Sequence, residues 1–206
     1  KTMTGKYKGR SISVTSTGIG CPSTAIAVEE LANIGAKTFV RMGTSGAMQD
    51  FTRVGDKVIA TGAVRFEGTS VQYMPIEFPA VASHEMVTAL VRSASDAKLN
   101  YHTGIVQSKD SFYGQHSPED MPIASELLQK WDAWVKGGVL CSEMEAATLF
   151  VVGSYRKLRT GAVLLVAGDQ AKGESLTKED YQLNMTESIN MILEASLDIE
   201  EESSNG

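Results

Sequence analysis

Residues 38–46 read TFVRMGTSG. Thr38, Phe39 and Val40 are β-branched or aromatic and read as a short buried strand. Arg41 arrives at the end of that strand, and Gly43, Thr44, Ser45 and Gly46 follow as a turn of small residues and hydroxyls. A strand feeding such a turn leaves backbone N–H groups and hydroxyls at the rim of a sheet, beside a guanidinium. In open α/β sheets that rim is where ligands bind. The planar fork of Arg suits phosphate oxygens, and turn amides and hydroxyls can donate to the rest. The stretch therefore reads as an oxyanion site, with phosphate the best fit. The competing reading is a tight turn whose Arg is ion-paired to a neighbour. The spacing is not that of a P-loop.

Further polar constellations recur where strands are expected to end: residues 17–20, 109–115 and 168–170, with 142–145 as a fifth. Parallel strands would gather these ends on one rim. The result is a pocket with an anion end (Arg41, Thr44, Ser45), an aromatic end (Phe112, Tyr113) and carboxylates (Glu143, Glu145). Such a set suits a phosphate, a sugar diol and a flat base. The alternative for Glu143 and Glu145 is a helix N-terminus, where carboxylates meet the positive end of the dipole. His84 reads as helix surface, His102 as strand or loop, and His116 as an exposed loop residue beside Gln115.

The elements that must position these groups follow from periodicity. Residues 1–10 suggest a hairpin leading into a strand at 11–16. A glycine turn leads to a helix over 25–34, opened by Pro22 and capped by Ser23, with Ala25, Ile26, Val28 and Ala32 inward. Strand, turn, helix, strand makes a βαβ unit and hence a parallel sheet. Residues 54–60 enter a strand that 63–67 continue or follow, 68–79 are loop, and 83–96 form an amphipathic helix with Val87, Leu90, Val91 and Ala94 inward. A strand at 101–108 runs into the polar loop 109–118. Helices at 126–136 and 146–157 flank a short apolar piece at 139–141. Trp131 and Trp134 read as packing residues rather than ligand platforms. The strand 161–167 is the most hydrophobic, the final helix spans 185–199, and 200–206 form an acidic tail.

The chain of 206 residues is long enough for one large α/β domain. A net charge of -6 argues against general nucleic-acid binding. No apolar run reaches transmembrane length and no secretory signal is visible, so a cytoplasmic protein is expected. Cys21 and Cys141 have no metal-type spacing and read as buried reduced thiols.

Three strings, in order, carry a family resemblance: STGIGCPSTAIAVEEL, RMGTSGAMQDFTRVGDKVIATGAVRFEG and SEMEAATLF. They resemble the nucleoside phosphorylases, the family of uridine phosphorylase and the hexameric purine nucleoside phosphorylases. The likeness runs from Tyr7 to Leu197. STGIGCPST, SKDSFYGQ and FPAVA are most similar to uridine phosphorylases, whereas YRKLRTGAVLLVAG is also similar to purine-type members. The resemblance implies a single-domain three-layer α/β/α fold over 1–199, with a central mixed, largely parallel twisted sheet flanked by helices. It implies reversible phosphorolysis of uridine or a related nucleoside, with inorganic phosphate as co-substrate and no cofactor or metal. By resemblance Arg41, Gly43 and Thr44 bind phosphate, and Thr44, Glu143, Met144 and Glu145 hold the ribose. Phe112 and Gln115 meet the base, while Arg41 and Glu145 are catalytic and Asp169 is a candidate acid toward the base. Homo-oligomers are implied, as dimers or trimers of dimers with shared active sites, and neither nucleic acid nor membrane is a partner.

Departures accompany the likeness. The family's first strand, its Gly-Asp-Pro turn, the following Arg and an N-terminal His have no counterpart, and a partial chain is expected. Ser117 stands where many uridine phosphorylases carry an Arg, and Asp169 lies slightly beyond the purine-type acid position, to which Ala167 is closer. A nucleosidase that uses water, or a binding protein without turnover, are the rival readings, and dependence on phosphate separates them.

Overall fold

In the computed structural model, residues 1–199 are described; the acidic segment 200–206 lies outside the described residues. Strand β8 (Arg159–Asp169) sets the frame. Its GAVLLVA run is buried on both faces: Ala162, Leu164 and Val166 enter one apolar cluster and Val163 the other. A strand covered on both sides needs that continuous apolar run rather than alternation.

Strand β3 (Thr38–Ala47) runs parallel to β8, from Thr38 opposite Arg159 to Ser45 opposite Val166. The start of strand β4 (Lys57–Phe66) pairs antiparallel with β8, from Lys57 opposite Leu165 to Ile59 opposite Val163, and β4 runs parallel to β6 (Tyr101–Lys109). The short β7 (Cys141–Glu143) bridges β6 and β3. The order β4-β6-β7-β3-β8 thus returns to β4, so this mixed, largely parallel sheet closes on itself. Two-residue strands, β5 (Ala80–Val81) and β9 (Glu174–Ser175), add antiparallel edges.

Helices cover both faces. On one, α1 (Cys21–Asn33) and α5 (Ala146–Arg156) bury Ala25, Val28, Phe150 and Val151 against Val58, Ala60 and Leu164. On the other, α2 (His84–Asp96) and α6 (Lys178–Leu197) bury Met86, Leu90, Ala94 and Met191 against Ile59 and Val163. The alternation Val58, Ile59, Ala60 therefore divides one strand between two cores. Gly153 lets α5 lie on β8, because a Cβ there would sit 2.3 Å from Thr160 Cγ2. Helix α4 (Ala124–Lys136) contributes no fully buried residue and is tied down where Gln49 Nε2 donates to the Val135 and Val139 carbonyls at 2.9 and 2.8 Å.

Several expectations are corrected. The strand at 11–16 is β2 (Arg10–Thr15), which pairs with β1 (Thr2–Tyr7) in a separate two-stranded hairpin, so no β2–α1–β3 parallel unit forms. Residues 43–46 do not turn; pairing with β8 keeps them extended despite their turn-like composition. Helix α1 begins at Cys21 with Gly20 as its cap, Ser23 donates to the Ile19 and Gly20 carbonyls within the first turn, and Ile26 is exposed. The loop after β6 holds a short helix, α3 (Phe112–His116), capped by Ser111 Oγ, which accepts from Gly114 N at 3.0 Å. Helix α6 starts seven residues before the expected 185. Trp134 packs on Phe66 at 4.9 Å between ring centroids, in line with a packing role.

Phe150 is the largest fully buried side chain and lies between α5 and the sheet. Phe150→Ala should lower unfolding free energy by about 3–5 kcal/mol, read as a reduced midpoint in urea unfolding.

Candidate active site

The ends of β3, β6, β7 and β8, with the residues before α1, open on one cavity of about 2660 Å³. All five polar constellations expected from the sequence line it. Its floor is a cluster of buried charge. Arg41 Nε donates to Glu143 Oε2 at 2.9 Å, and Arg41 Nη2 donates to Glu145 Oε2. The Glu143 side chain is wholly buried, whereas Arg41 keeps 15% of its side-chain surface exposed toward the cavity. The ion-pair reading of Arg41 is what the geometry shows, and its remaining exposed surface faces the cavity.

The two carboxylates differ in what remains free. Glu143 accepts from Glu145 N at 2.8 Å, from Ala146 N at 2.9 Å, from Ser108 Oγ and from Arg41. It sits at the N-terminus of α5, where the dipole and unpaired N–H groups favour an anion. Its lone pairs are committed to protein donors. Glu145 accepts one backbone donor, Gly20 N at 2.6 Å, besides Arg41. Gly20 has φ 92, a left-handed conformation that favours glycine, and this aims its N–H at Glu145. Glu145 thus meets fewer protein donors than Glu143 does.

Gly43 lies under the guanidinium: a Cβ there would be 1.9 Å from Arg41 Nη1. Thr44 is exposed at the cavity mouth, while Ser45 is buried and donates to the Leu165 carbonyl at 3.2 Å, which removes it from the anion end. Met144 lines the cavity, and its carbonyl accepts from Cys21 Sγ at 3.3 Å. At the other end Phe112 stacks on His116, with centroids 3.9 Å apart and planes at 14°. His116 is half-buried and lines the cavity, not simply exposed; Tyr113 is 72% exposed and faces away from it. Gln115 Oε1 accepts from Ser142 Oγ.

Asp169, the last residue of β8, is on the cavity wall. Burial opposes its ionisation, but hydrogen bonds from Lys172 outweigh that and hold its carboxyl below the usual range. Lys172 Nζ donates to it at 2.7 Å. Lys109 ends β6 and is buried, not on a loop; it donates to Ser142 Oγ at 2.7 Å. Burial pulls its ammonium down to about 8, against the upward pull of Glu143 and Glu145. Lys109 and Ser142 open two of the polar constellations, but the sequence assigns neither a role, because the strand end reads as the start of a polar loop. The free thiols Cys21 and Cys141 are buried, and burial pushes both up, Cys141 to about 12. Among the described residues no three His, Cys, Asp or Glu side chains are grouped to hold a metal ion. No described helix is long and apolar enough to cross a membrane.

Because Asp169 is held low, its ion pair stabilises the fold above the ordinary carboxylate pKa of about 3.9 and is lost as pH falls through the depressed value. Asp169→Asn should melt below the wild type at pH 7. The gap should close in acid, once the wild-type carboxyl is protonated.

Comparison with known proteins bears on this geometry. Residues 1–197 match the phosphorylase superfamily. A uridine phosphorylase from Treponema pallidum is 54% identical over 195 residues, 94% of this chain and 75% of that protein. A uridine phosphorylase from Escherichia coli is 37% identical over 198 residues, covering 95% of this chain and 78% of its own. A guanosine phosphorylase from Halorubrum lacusprofundi is 42% identical over 173 residues, covering 84% and 67%. A cavity that sets a guanidinium between two carboxylates, in a chain matched from end to end of its described sheet, has one reading at family level: this chain belongs to the phosphorylase superfamily.

Proposed function

We propose that the chain, with residues 1–199 as one catalytic unit, carries out the reversible phosphorolysis of uridine to uracil and ribose 1-phosphate. The observation that carries this reading is the inequality of the two carboxylates around Arg41. Glu143 is saturated by protein donors, whereas Glu145 can release Arg41 and accept two sugar hydroxyls.

On phosphate binding, Arg41 keeps Glu143 and turns its other face to phosphate oxygens, with the backbone at Gly43 and the Thr44 hydroxyl alongside. Glu145 takes the ribose diol, and Met144 supports the sugar. Phe112, braced by His116, walls the base, and Gln115 pairs with its edge. A phosphate oxygen then bonds to C1′ as the C1′–N1 bond breaks, and that bond's electron pair leaves with the base. Phosphate is already an anion, so no side-chain nucleophile has to be activated. Catalysis rests on positioning and on carboxylate stabilisation of a cation-like sugar.

The guanosine phosphorylase relative keeps a purine reading in view. It needs an acid toward the base, and Asp169, ion-paired to Lys172, has no proton to give near neutrality. In our reading Asp169 anchors the chain after β8 instead. We also infer a homo-oligomer. Thr44 and Phe112 line the cavity yet are exposed, which suits a wall supplied by a second copy, and sedimentation velocity tests it.

An ultraviolet assay of uridine, thymidine and inosine, each with and without phosphate, tests the reaction. Phosphate-dependent loss of uridine is expected, and Glu145→Gln should cut kcat/KM by about 100-fold or more. Cleavage without phosphate would make it a nucleosidase, and preferred inosine cleavage would return it to the purine branch.

A further inference from the structure

We propose that Lys109 is the cationic donor to a carbonyl oxygen of the departing pyrimidine, acting with Gln115 on one edge of the base, both oriented by Ser142. This rests on the uridine reading above and adds to it a residue that the phosphate and ribose assignments leave unused.

Lysine is seldom buried without a reason, yet Lys109 is 4% exposed and lines the cavity rather than the protein interior. It donates to Ser142 Oγ, which uses one of three ammonium protons. Ser142 Oγ also lies against the Gln107 and Gln115 side-chain oxygens. A hydroxyl has a single proton, so it donates to one amide only, and the other must turn its NH₂ toward Ser142. With Gln115 as the turned amide, its oxygen faces the cavity as an acceptor. The wall then offers an acceptor at Gln115 and a donor from Lys109, while Ser142, whose proton goes to Gln107, accepts from both and orients them. The uracil edge presents an N–H between two carbonyls, which is the complement of that wall.

The charge is what makes this catalytic and not only recognition. When C1′–N1 breaks, the electron pair spreads from N1 onto both carbonyl oxygens. An ammonium donating to one of them stabilises charge that exists only late in the reaction. The neutralising proton comes from water after the bond has broken. The groups acting on the ammonium are Glu143 and Cys141 of β7 and Glu145 before α5; Gln107 and Ser108 of β6 and Gln115 of α3 are uncharged. Lys109 is thus protonated at neutral pH and loses its proton as pH rises through about 8.

The test compares uridine with 5-fluorouridine, whose base leaves more readily as an anion. In Lys109→Met, kcat/KM for uridine should fall about 100-fold, and the fall for 5-fluorouridine should be about ten times smaller. The alkaline limb of kcat/KM near pH 8 should vanish in Lys109→Met and move upward in Lys109→Arg, which keeps the charge. A partly folded variant loses both substrates equally, so the ratio is unaffected by folding; if Lys109→Met shows no thermal transition, Lys109→Gln is read by the same ratio. Equal losses on the two nucleosides, or activity within about three-fold of wild type, overturns the inference alone. A wild-type protein that leaves uridine uncleaved with phosphate present overturns the uridine reading and this inference with it.

Discussion

Burying charge at the end of a sheet is the constraint on which this structure turns. A carboxylate taken out of water must be met by donors on every side or it will not stay ionised. Glu143 meets that demand with the first amides of α5, the Ser108 hydroxyl of β6 and the Arg41 guanidinium of β3. One side chain therefore ties together a helix and two strands. Glu145, two residues on, ties in α1 through Gly20. The short β7 that carries Glu143 bridges β6 and β3, so the charge cluster sits where those two strands are joined.

The same arrangement prepares the site for work. Arg41 is held in the resting protein by partners of unequal commitment, one fixed and one exchangeable. In the proposed reaction, phosphate and ribose replace a contact that already exists, in a site whose dipoles are in place beforehand. Gly43 keeps the floor low enough for the guanidinium to lie across it. Above it the apolar layers do no chemistry. They hold β3, β6, β7 and β8 in the register that brings Arg41, Lys109, Glu143 and Asp169 to one rim.

Much of this was legible in the residues. The GAVLLVA run of β8 and the 3–4 spacing of α2 follow directly from periodicity, and the gathering of polar strand ends on one cavity follows from parallel topology. What failed did so for identifiable reasons. Gly43–Gly46 has the composition of a turn, but pairing with β8 overrides local preference. Strand β2 pairs with β1 across a tight turn and not with the main sheet, a long-range choice that its alternation does not reveal. Lys109 follows a strand and precedes a polar stretch, and nothing local shows that β7 covers it. Glu143 is at the N-terminus of α5, as one of its two readings has it, and it also lines the cavity paired to Arg41.

The proposed reaction requires the exchange at Arg41, and a crystal structure with phosphate and a non-cleavable uridine analogue addresses that exchange most directly. The expected result keeps Arg41 Nε on Glu143 near its present 2.9 Å, places a phosphate oxygen on the guanidinium in place of Glu145, and puts Glu145 on the ribose hydroxyls. Arg41 still paired to Glu145 in the ternary complex, with phosphate bound elsewhere, would contradict it.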